Sequence, residues 1–212
     1  VPFASRREGR GESSVEMYRE LGALEVVNAD SLSPDAARVA FEAADLIWMP
    51  GGSQVRLMKE LRERELVEPL RVAHARGCVV GGTSAGTAVA SDPMLAGAPE
   101  VAGIRSEVAQ LEEGLGLLQG ALVDQHFVER ERQSRLLSAV LDGPSRLGIG
   151  ISESTAALVT GSTLRVMGES VVLVYDARKA KVEPSLGKGE CAAGTGVTLS
   201  VLRAGMTFEL ED

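Results

Sequence analysis

A serine between two glycines is the first feature of this 212-residue chain that could do chemistry. Residues 82–86 (GTSAG) have the pattern G-x-S-x-G, follow an apolar run typical of a buried strand, and precede small residues at 87–90 that predict a short helix. A serine on such a strand–turn–helix corner exposes its hydroxyl as a nucleophile. We therefore predict that Ser84 is catalytic and that the N–H of Ala85 stabilises an oxyanion. The alternative is a glycine-rich turn that only permits close packing.

A second glycine pair ends the preceding predicted strand, which runs over residues 45–49 (DLIWM). Because parallel strands end at the same sheet edge, Gly51 and Gly52 should lie on the side of the sheet that carries Ser84. Adjacent glycines let a backbone N–H turn towards a ligand, so we predict that Gly52 is the second oxyanion donor. The alternative is an ordinary turn at the end of a strand.

A serine needs a base to become a nucleophile near neutral pH, and the chain has only two histidines. His126 follows an apolar run at 121–123 and precedes a helical pattern, so it should lie at the end of a strand. His74 lies near the end of a charged helical segment, where a histidine usually interacts with the helix dipole or with water. We predict that His126 is the base.

Three arginines follow His126 in a helical pattern, interleaved with glutamates. They are Arg130, Arg132 and Arg135. A solvated helix with internal ion pairs would explain them, but their position beside the predicted base favours recognition of a carboxylate-bearing substrate. The base also needs a carboxylate to fix its tautomer. The residues leave four candidates open for that role: Asp92, Glu100, Glu107 and Asp124.

The composition excludes several classes of protein. The net charge of −8 and seven aromatic residues argue against a nucleic-acid partner. Two cysteines and two separated histidines predict neither a disulfide scaffold nor a zinc site, so we expect no cofactor and no metal. No run approaches the ~20 apolar residues that span a bilayer, and residues 1–20 do not resemble a signal peptide, so we expect no membrane partner and a cytoplasmic location.

The pattern along the chain predicts an α/β fold in which apolar strands alternate with helices. We expect helices at 13–21 and 34–44, one helix over 54–76 interrupted at Pro69, and a helix at 129–141. Strands are expected at 25–28, 45–49, 78–80, 121–123 and 148–151, and the residues from Ala156 onward are β-rich. This predicts one domain over residues 1–212, with a doubly wound, mostly parallel sheet, helices on both faces and an antiparallel edge. Because such folds usually begin with a strand, we expect the first strand to be missing.

The combined motifs resemble the cyanophycinase and peptidase E family of serine peptidases. They are residues 81–89 (GGTSAGTAV), 124–127 (DQHF) with the arginines that follow, 148–151 (GIGI) with Glu153, and Gly51-Gly52 with Gln54 after the strand at 45–49. The resemblance runs from about residue 15 to the C-terminus and is closest to cyanophycinases.

The resemblance implies a class I glutamine amidotransferase-like fold, a homodimer and a Ser–His–Glu mechanism. It assigns the nucleophile to Ser84, the base to His126 and the carboxylate to Glu100. It assigns substrate binding to a polar set: Gln54, Gln125, Arg130, Arg132 and Arg135. The implied reaction is hydrolysis of β-aspartyl, cyanophycin-like peptides with release of Asp-Arg-type dipeptides. The alternatives are an aspartyl dipeptidase of the peptidase E type, a glutamine amidotransferase subunit, and an inactive peptide-binding relative.

Overall fold

The computed structural model describes residues 1–5, 9–97 and 102–211, which form two compact units. The first unit comprises Val1–Ala90 and Glu113–Leu117, and the second comprises Ser91–Glu112 and Leu118–Asp212. The α/β class and the β-rich C-terminal part are confirmed. The expectation of a single domain over 1–212 stays a prediction.

The first unit contains two parallel strands and five α-helices in its described part, besides a 3₁₀ helix over Ala29–Ser31. In chain order they are α1 (Arg10–Glu20), α2 (Pro34–Ala43), β1 (Leu46–Met49), α3 (Gln54–Glu63), α4 (Val67–Ala75), β2 (Val79–Gly82) and α5 (Ala85–Ala88). Serine caps start two of the helices. Ser33 Oγ accepts from the N–H of Ala36 at 3.3 Å, and Ser53 Oγ accepts from the N–H of Arg56 at 3.3 Å. β1 and β2 pair in parallel, with Met49 opposite Gly82.

Three predictions for the first unit are wrong in detail. The helix expected over 54–76 is two helices, and the break falls at Glu65, whose φ is 56°, rather than at Pro69. Pro69 lies in the first turn of α4, where a missing N–H costs no helical hydrogen bond. The first helix begins at Arg10 after Gly9 rather than at Ser13. Residues 25–28 form no strand in the described structure.

The second unit is built around a four-stranded sheet. Its elements are β3 (Met94–Leu95), β4 (Leu111–Glu112), β5 (Ala121–Gln125), α6 (Gln133–Asp142), β6 (Leu147–Ile151), β7 (Thr155–Thr160), β8 (Thr163–Gly168), β9 (Val171–Asp176), β10 (Lys181–Val182), β11 (Gly194–Thr195), β12 (Thr198–Arg203) and β13 (Thr207–Glu209). The main sheet has the order β12-β9-β6-β5, in which β5 and β6 are parallel and the other pairs antiparallel. The antiparallel sheet β13-β8-β7 accompanies it. The predicted antiparallel edge is thereby confirmed.

Both faces of the four-stranded sheet are covered, which explains why β5 and β6 are buried along their whole length. Ala121 and Val123 of β5 belong to a core that includes Leu164 and Val166 of β8. Leu122 faces the opposite way, into a second core against α6. The carboxyl ends of β5 and β6 are therefore held rigidly, and the residues that follow them are placed by two buried strands.

Candidate active site

Ser84 lies on a strained corner between β2 and α5. Its φ is 52° and its ψ is −105°, a combination that residues with a Cβ rarely adopt, and its side chain is half-buried. Such strain costs about 1–3 kcal/mol and persists only where the surroundings enforce it, most often at functional positions. The predicted strand–turn–helix context of Ser84 is confirmed.

The corner is held against the end of β1 by contacts that only glycine allows. A Cβ on Gly86 would lie 1.9 Å from the carbonyl oxygen of Met49, and one on Gly82 would lie 2.4 Å from the same oxygen. The N–H of Thr83 donates to this oxygen at 3.0 Å. The sequence G-x-S-x-G is therefore required here because the corner packs directly on the neighbouring strand.

The two predicted oxyanion donors lie beyond the same end of the parallel strand pair. Gly52 follows Met49 by three residues and Ala85 follows Gly82 by three, while Met49 and Gly82 are paired. Within the part of the chain that the structure describes, the N–H groups of Gly52 and Ala85 donate to no acceptor. Gly52 has a φ of 151°, and a Cβ there would lie 2.2 Å from the carbonyl oxygen of Ala4. Their role as donors stays a prediction.

In the second unit, His126 follows β5 directly and pairs with a carboxylate. Its Nδ1 lies 2.9 Å from Oε1 of Glu153, with 24% of the histidine side chain and 54% of the glutamate side chain exposed. Because an ionised carboxylate only accepts hydrogen bonds, Nδ1 carries the proton. In the neutral ring with this tautomer, the lone pair lies on Nε2, which is the nitrogen that a general base would use.

Glu153 is held by the turn that leads from β6 into β7. Its carbonyl oxygen accepts from the hydroxyl of Thr155 at 3.1 Å, and that hydroxyl accepts from the N–H of Ser170 at 3.0 Å. Ser154 takes up the sharp change of direction with a φ of 53°. The position of the carboxylate is thus set by hydrogen bonds on its main chain, although its side chain is half-exposed.

The polar residues around His126 form a buried network. Asp124 is 1% exposed and accepts from Nε of Arg135 at 2.6 Å, from Nη2 of the same residue, and from Nη1 of Arg132 at 3.3 Å. Burial, followed by repulsion from Arg135, lowers the pKa of Arg132. Arg130 is exposed and Gln125 is buried.

The remaining residue predicted to bind substrate, Gln54, lies in the first unit. It is buried at the first position of α3.

Comparison with known proteins decides the family. The model of Peptidase family S51 matches residues 1–167. The chain belongs to peptidase family S51. It is accordingly a serine peptidase.

Two curated relatives are similar to this S51 peptidase in sequence, and one solved structure is similar to it in fold. A cyanophycinase from Trichormus variabilis is 32% identical over 220 residues, which cover 99% of this chain and 74% of the relative. A peptidase E from Pasteurella multocida is 24% identical over 183 residues, covering 82% of this chain and 76% of the relative. The crystal structure of a peptidase from an acI-B1 actinobacterium has a TM-score of 0.67 at 22% identity, covering 98% of this chain and 81% of that one, and confirms the fold.

Sequence reasoning missed Glu153 as the partner of His126. The residue assigned to that role, Glu100, lies outside the described residues. Of the other carboxylates considered, Asp124 is occupied by arginines, and Glu107 accepts from the hydroxyl of Ser185 at 2.9 Å. Strand register could have identified it. When two parallel strands are paired, the residues that follow the end of one strand lie beside the residues that follow the end of the other. Gln125 pairs with Ile151, so the carboxylate just beyond Ile151 was the one to test.

Two further titratable groups, His74 and Cys78, bear on which residues of this S51 peptidase could act as base or nucleophile. His74 is exposed in the last turn of α4, as predicted. Cys78 is buried, and that burial raises the pKa of its thiol. Among the described residues, no three His, Cys, Asp or Glu side chains come together as metal ligands would. No helix in the described ranges is long and apolar enough to cross a membrane.

Proposed function

We propose that this S51 peptidase hydrolyses β-aspartyl, cyanophycin-like peptides and releases Asp-Arg-type dipeptides by a Ser–His–Glu acyl-enzyme mechanism. The nucleophile is Ser84, the base is His126 and the carboxylate is Glu153. The observation that carries the proposal is the 2.9 Å contact between Nδ1 of His126 and Oε1 of Glu153, because it leaves Nε2 able to accept a proton. The similarity to a cyanophycinase supports the substrate class.

The mechanism has two half-reactions. His126 takes the proton of the Ser84 hydroxyl as the oxygen attacks the peptide carbonyl, and the N–H groups of Gly52 and Ala85 stabilise the oxyanion. The tetrahedral intermediate collapses when His126 protonates the leaving amine, which leaves an acyl ester on Ser84. Water then attacks the ester with His126 again as base, which releases the carboxylic acid product and regenerates the Ser84 hydroxyl. Glu153 stabilises the imidazolium in both steps.

Substrate recognition requires groups that bind the free carboxylates of an aspartyl peptide. In an acidic protein, the exposed guanidinium of Arg130 provides a local positive charge close in sequence to the base. Gln54 and Gln125 offer amide groups that donate to carbonyl or carboxylate oxygens. We assign substrate binding to these three residues. The expected homodimer and cytoplasmic location remain predictions, which size-exclusion chromatography with light scattering and cell fractionation would test.

The test compares the wild-type protein with Ser84→Ala on cyanophycin and on α-aspartyl dipeptides, with products identified by mass. The wild type should release Asp-Arg dipeptides from cyanophycin, and Ser84→Ala should lower kcat by at least about 10⁴-fold. Ser13→Ala, which removes an exposed hydroxyl from α1, is the matched control. A small sulfonyl fluoride should add its mass to the wild type and not to Ser84→Ala. Full activity in Ser84→Ala would disprove the mechanism.

The second candidate is an aspartyl dipeptidase, favoured by the similarity to a peptidase E. Cleavage of α-aspartyl dipeptides with no release from cyanophycin would select it. A glutamine amidotransferase requires a reactive cysteine, and the raised pKa of the buried Cys78 thiol is the opposite of what a thiolate nucleophile needs. Absence of both peptidase activities and of the sulfonyl adduct would instead indicate an inactive peptide-binding relative.

A further inference from the structure

The backbone of His126 is held in a conformation that is uncommon for residues with a Cβ. Its φ is 49°, in the left-handed region. Two peptide planes fix this angle: the one before His126, which carries the carbonyl of Gln125, and the one after it, which carries the N–H of Phe127. The second plane is held by β6, since the N–H of Phe127 donates to the carbonyl oxygen of Ile151 at 3.1 Å.

The first plane is held by an arginine side chain. Nη1 of Arg132 donates to the carbonyl oxygen of Gln125 at 2.5 Å. The same nitrogen lies 3.0 Å from Oε1 of Gln125 and 3.3 Å from Oδ1 of Asp124. Three oxygens therefore surround one guanidinium nitrogen, and the shortest contact is to the carbonyl whose plane defines the φ of His126.

Arg132 is in turn held by Asp124, which is itself paired with Arg135. Oδ1 of Asp124 accepts from Arg132, from Arg135 and from the N–H of Gln125, the last at 2.8 Å. Arg135, which is buried on α6, donates to both oxygens of this carboxylate. A planar fork on a carboxylate fixes orientation as well as charge, so α6 is tied to the end of β5 by a rigid pair.

We propose that Arg132 is a positioning residue for His126, and that Asp124 and Arg135 support it as one clamp. The clamp acts on the reaction by holding the peptide bond before His126, and thereby the imidazole against Glu153, rather than by binding substrate. This inference rests on the proposed function in taking His126 as the base. It replaces the substrate-binding role that the sequence suggested for Arg132 and Arg135.

Burial separates this clamp from the neighbouring arginine. The side chains of Arg132 and Arg135 are 13% and 7% exposed, and each donates to Asp124. Arg130 is exposed on the preceding turn. The two kinds of arginine should therefore respond differently to substitution: loss of a substrate ligand raises KM, whereas displacement of the base lowers kcat.

The first test uses nuclear magnetic resonance of the free protein, which needs no substrate. With two histidines in the chain, the Nδ1–H signal of His126 can be assigned against His74. In the wild type, the bond to Glu153 should protect this proton from exchange with water. Arg132→Met should abolish the protected signal, Arg132→Lys should weaken it, and Arg130→Gln should leave it unchanged. An unchanged signal in both Arg132 variants would overturn the proposal.

The second test is kinetic. Arg132→Lys should lower kcat about 10- to 100-fold, because displacements near 1 Å have effects of that size, with KM within about twofold of the wild type. Arg130→Gln should raise KM with little change in kcat, and Arg203→Gln, an exposed charge on β12, is the neutral control. A raised KM with unchanged kcat in Arg132→Lys would show a substrate ligand and overturn the proposal. Circular dichroism confirms that each variant is folded. If Ser84→Ala were active, the proposed function would fail, yet the resonance test would still decide the clamp.

Discussion

Replacing Glu153 by glutamine or alanine separates the two things that a carboxylate does for His126. The carboxylate stabilises the imidazolium, and it also selects the tautomer with the proton on Nδ1. Alanine removes the first effect and leaves the ring free to adopt either tautomer. Glutamine can present its NH₂ group to Nδ1, which favours the proton on Nε2 and blocks the nitrogen that must accept from Ser84.

The contact sets the size of each effect. A hydrogen bond to a charged group is worth about 1.5–3 kcal/mol, and the lower end applies because 54% of the Glu153 side chain is exposed to solvent. About 1.5 kcal/mol corresponds to roughly a tenfold loss of kcat in Glu153→Ala. The unfavourable tautomer adds to this loss in Glu153→Gln, for which we expect about 100-fold. The sterically closer substitution should therefore give the slower enzyme.

The assay is steady-state hydrolysis of cyanophycin near neutral pH by the wild type and both variants. Glu169→Gln is the matched control, because Glu169 is an exposed glutamate whose main chain is bonded to the same turn, its N–H donating to Ser154 at 2.9 Å. This control should keep wild-type kcat. Rates within twofold of the wild type in both Glu153 variants would refute the triad. Alanine slower than glutamine would refute the tautomer argument alone.

Two further predictions concern stability, each measured by urea unfolding. Gly86→Ala should lower the free energy of unfolding by about 3 kcal/mol or more, because the added Cβ overlaps the β1 backbone. Gly189→Ala, at a φ of 83° with open space around it, should lower the same free energy by only about 1 kcal/mol. Equal losses in the two variants would contradict the packing argument. Hydrogen bonds from Arg178 lower the pKa of Asp176 below its ordinary 3.8, so its stabilisation is complete above that pH and is lost as pH falls through the folded-state pKa. Asp176→Asn should cost about 1 kcal/mol at pH 7 and flatten the decline below pH 4. Asp35→Asn, at an exposed position, is the control and should change neither the stability at pH 7 nor its decline below pH 4. If the decline below pH 4 were unaltered in Asp176→Asn, the lowered pKa of Asp176 would not be its cause.

The corner at Ser84 could be predicted because its determinants are local. An apolar run, two glycines and small residues after them specify a strand, a tight turn and a helix within ten positions. The same holds for the carboxyl end of β5, whereas the helix predicted over 129–141 begins only at Gln133. The prediction failed where the local sequence contains no helix-breaking residue. The segment at 64–66 has no glycine or proline, yet Glu65 adopts a φ of 56° and divides the helix. Tertiary packing of α3 and α4 decides such a break, and composition does not.

The partner of His126 and the roles of the arginines depended instead on strand register and on side-chain burial. Glu153 is 27 residues from His126 and becomes its neighbour only because β5 and β6 pair with Gln125 opposite Ile151. Likewise, three arginines of equal charge follow His126, and the sequence pattern predicts substrate binding for all three. Burial of Asp124 distinguishes them, because a carboxylate that is 1% exposed must be paired and takes the two arginines within its reach. A charge cluster beside a catalytic histidine should therefore be divided first into groups that satisfy buried carboxylates and groups that remain exposed. Among the charged groups of such a cluster, only the exposed ones are then candidates for binding the carboxylates of a substrate.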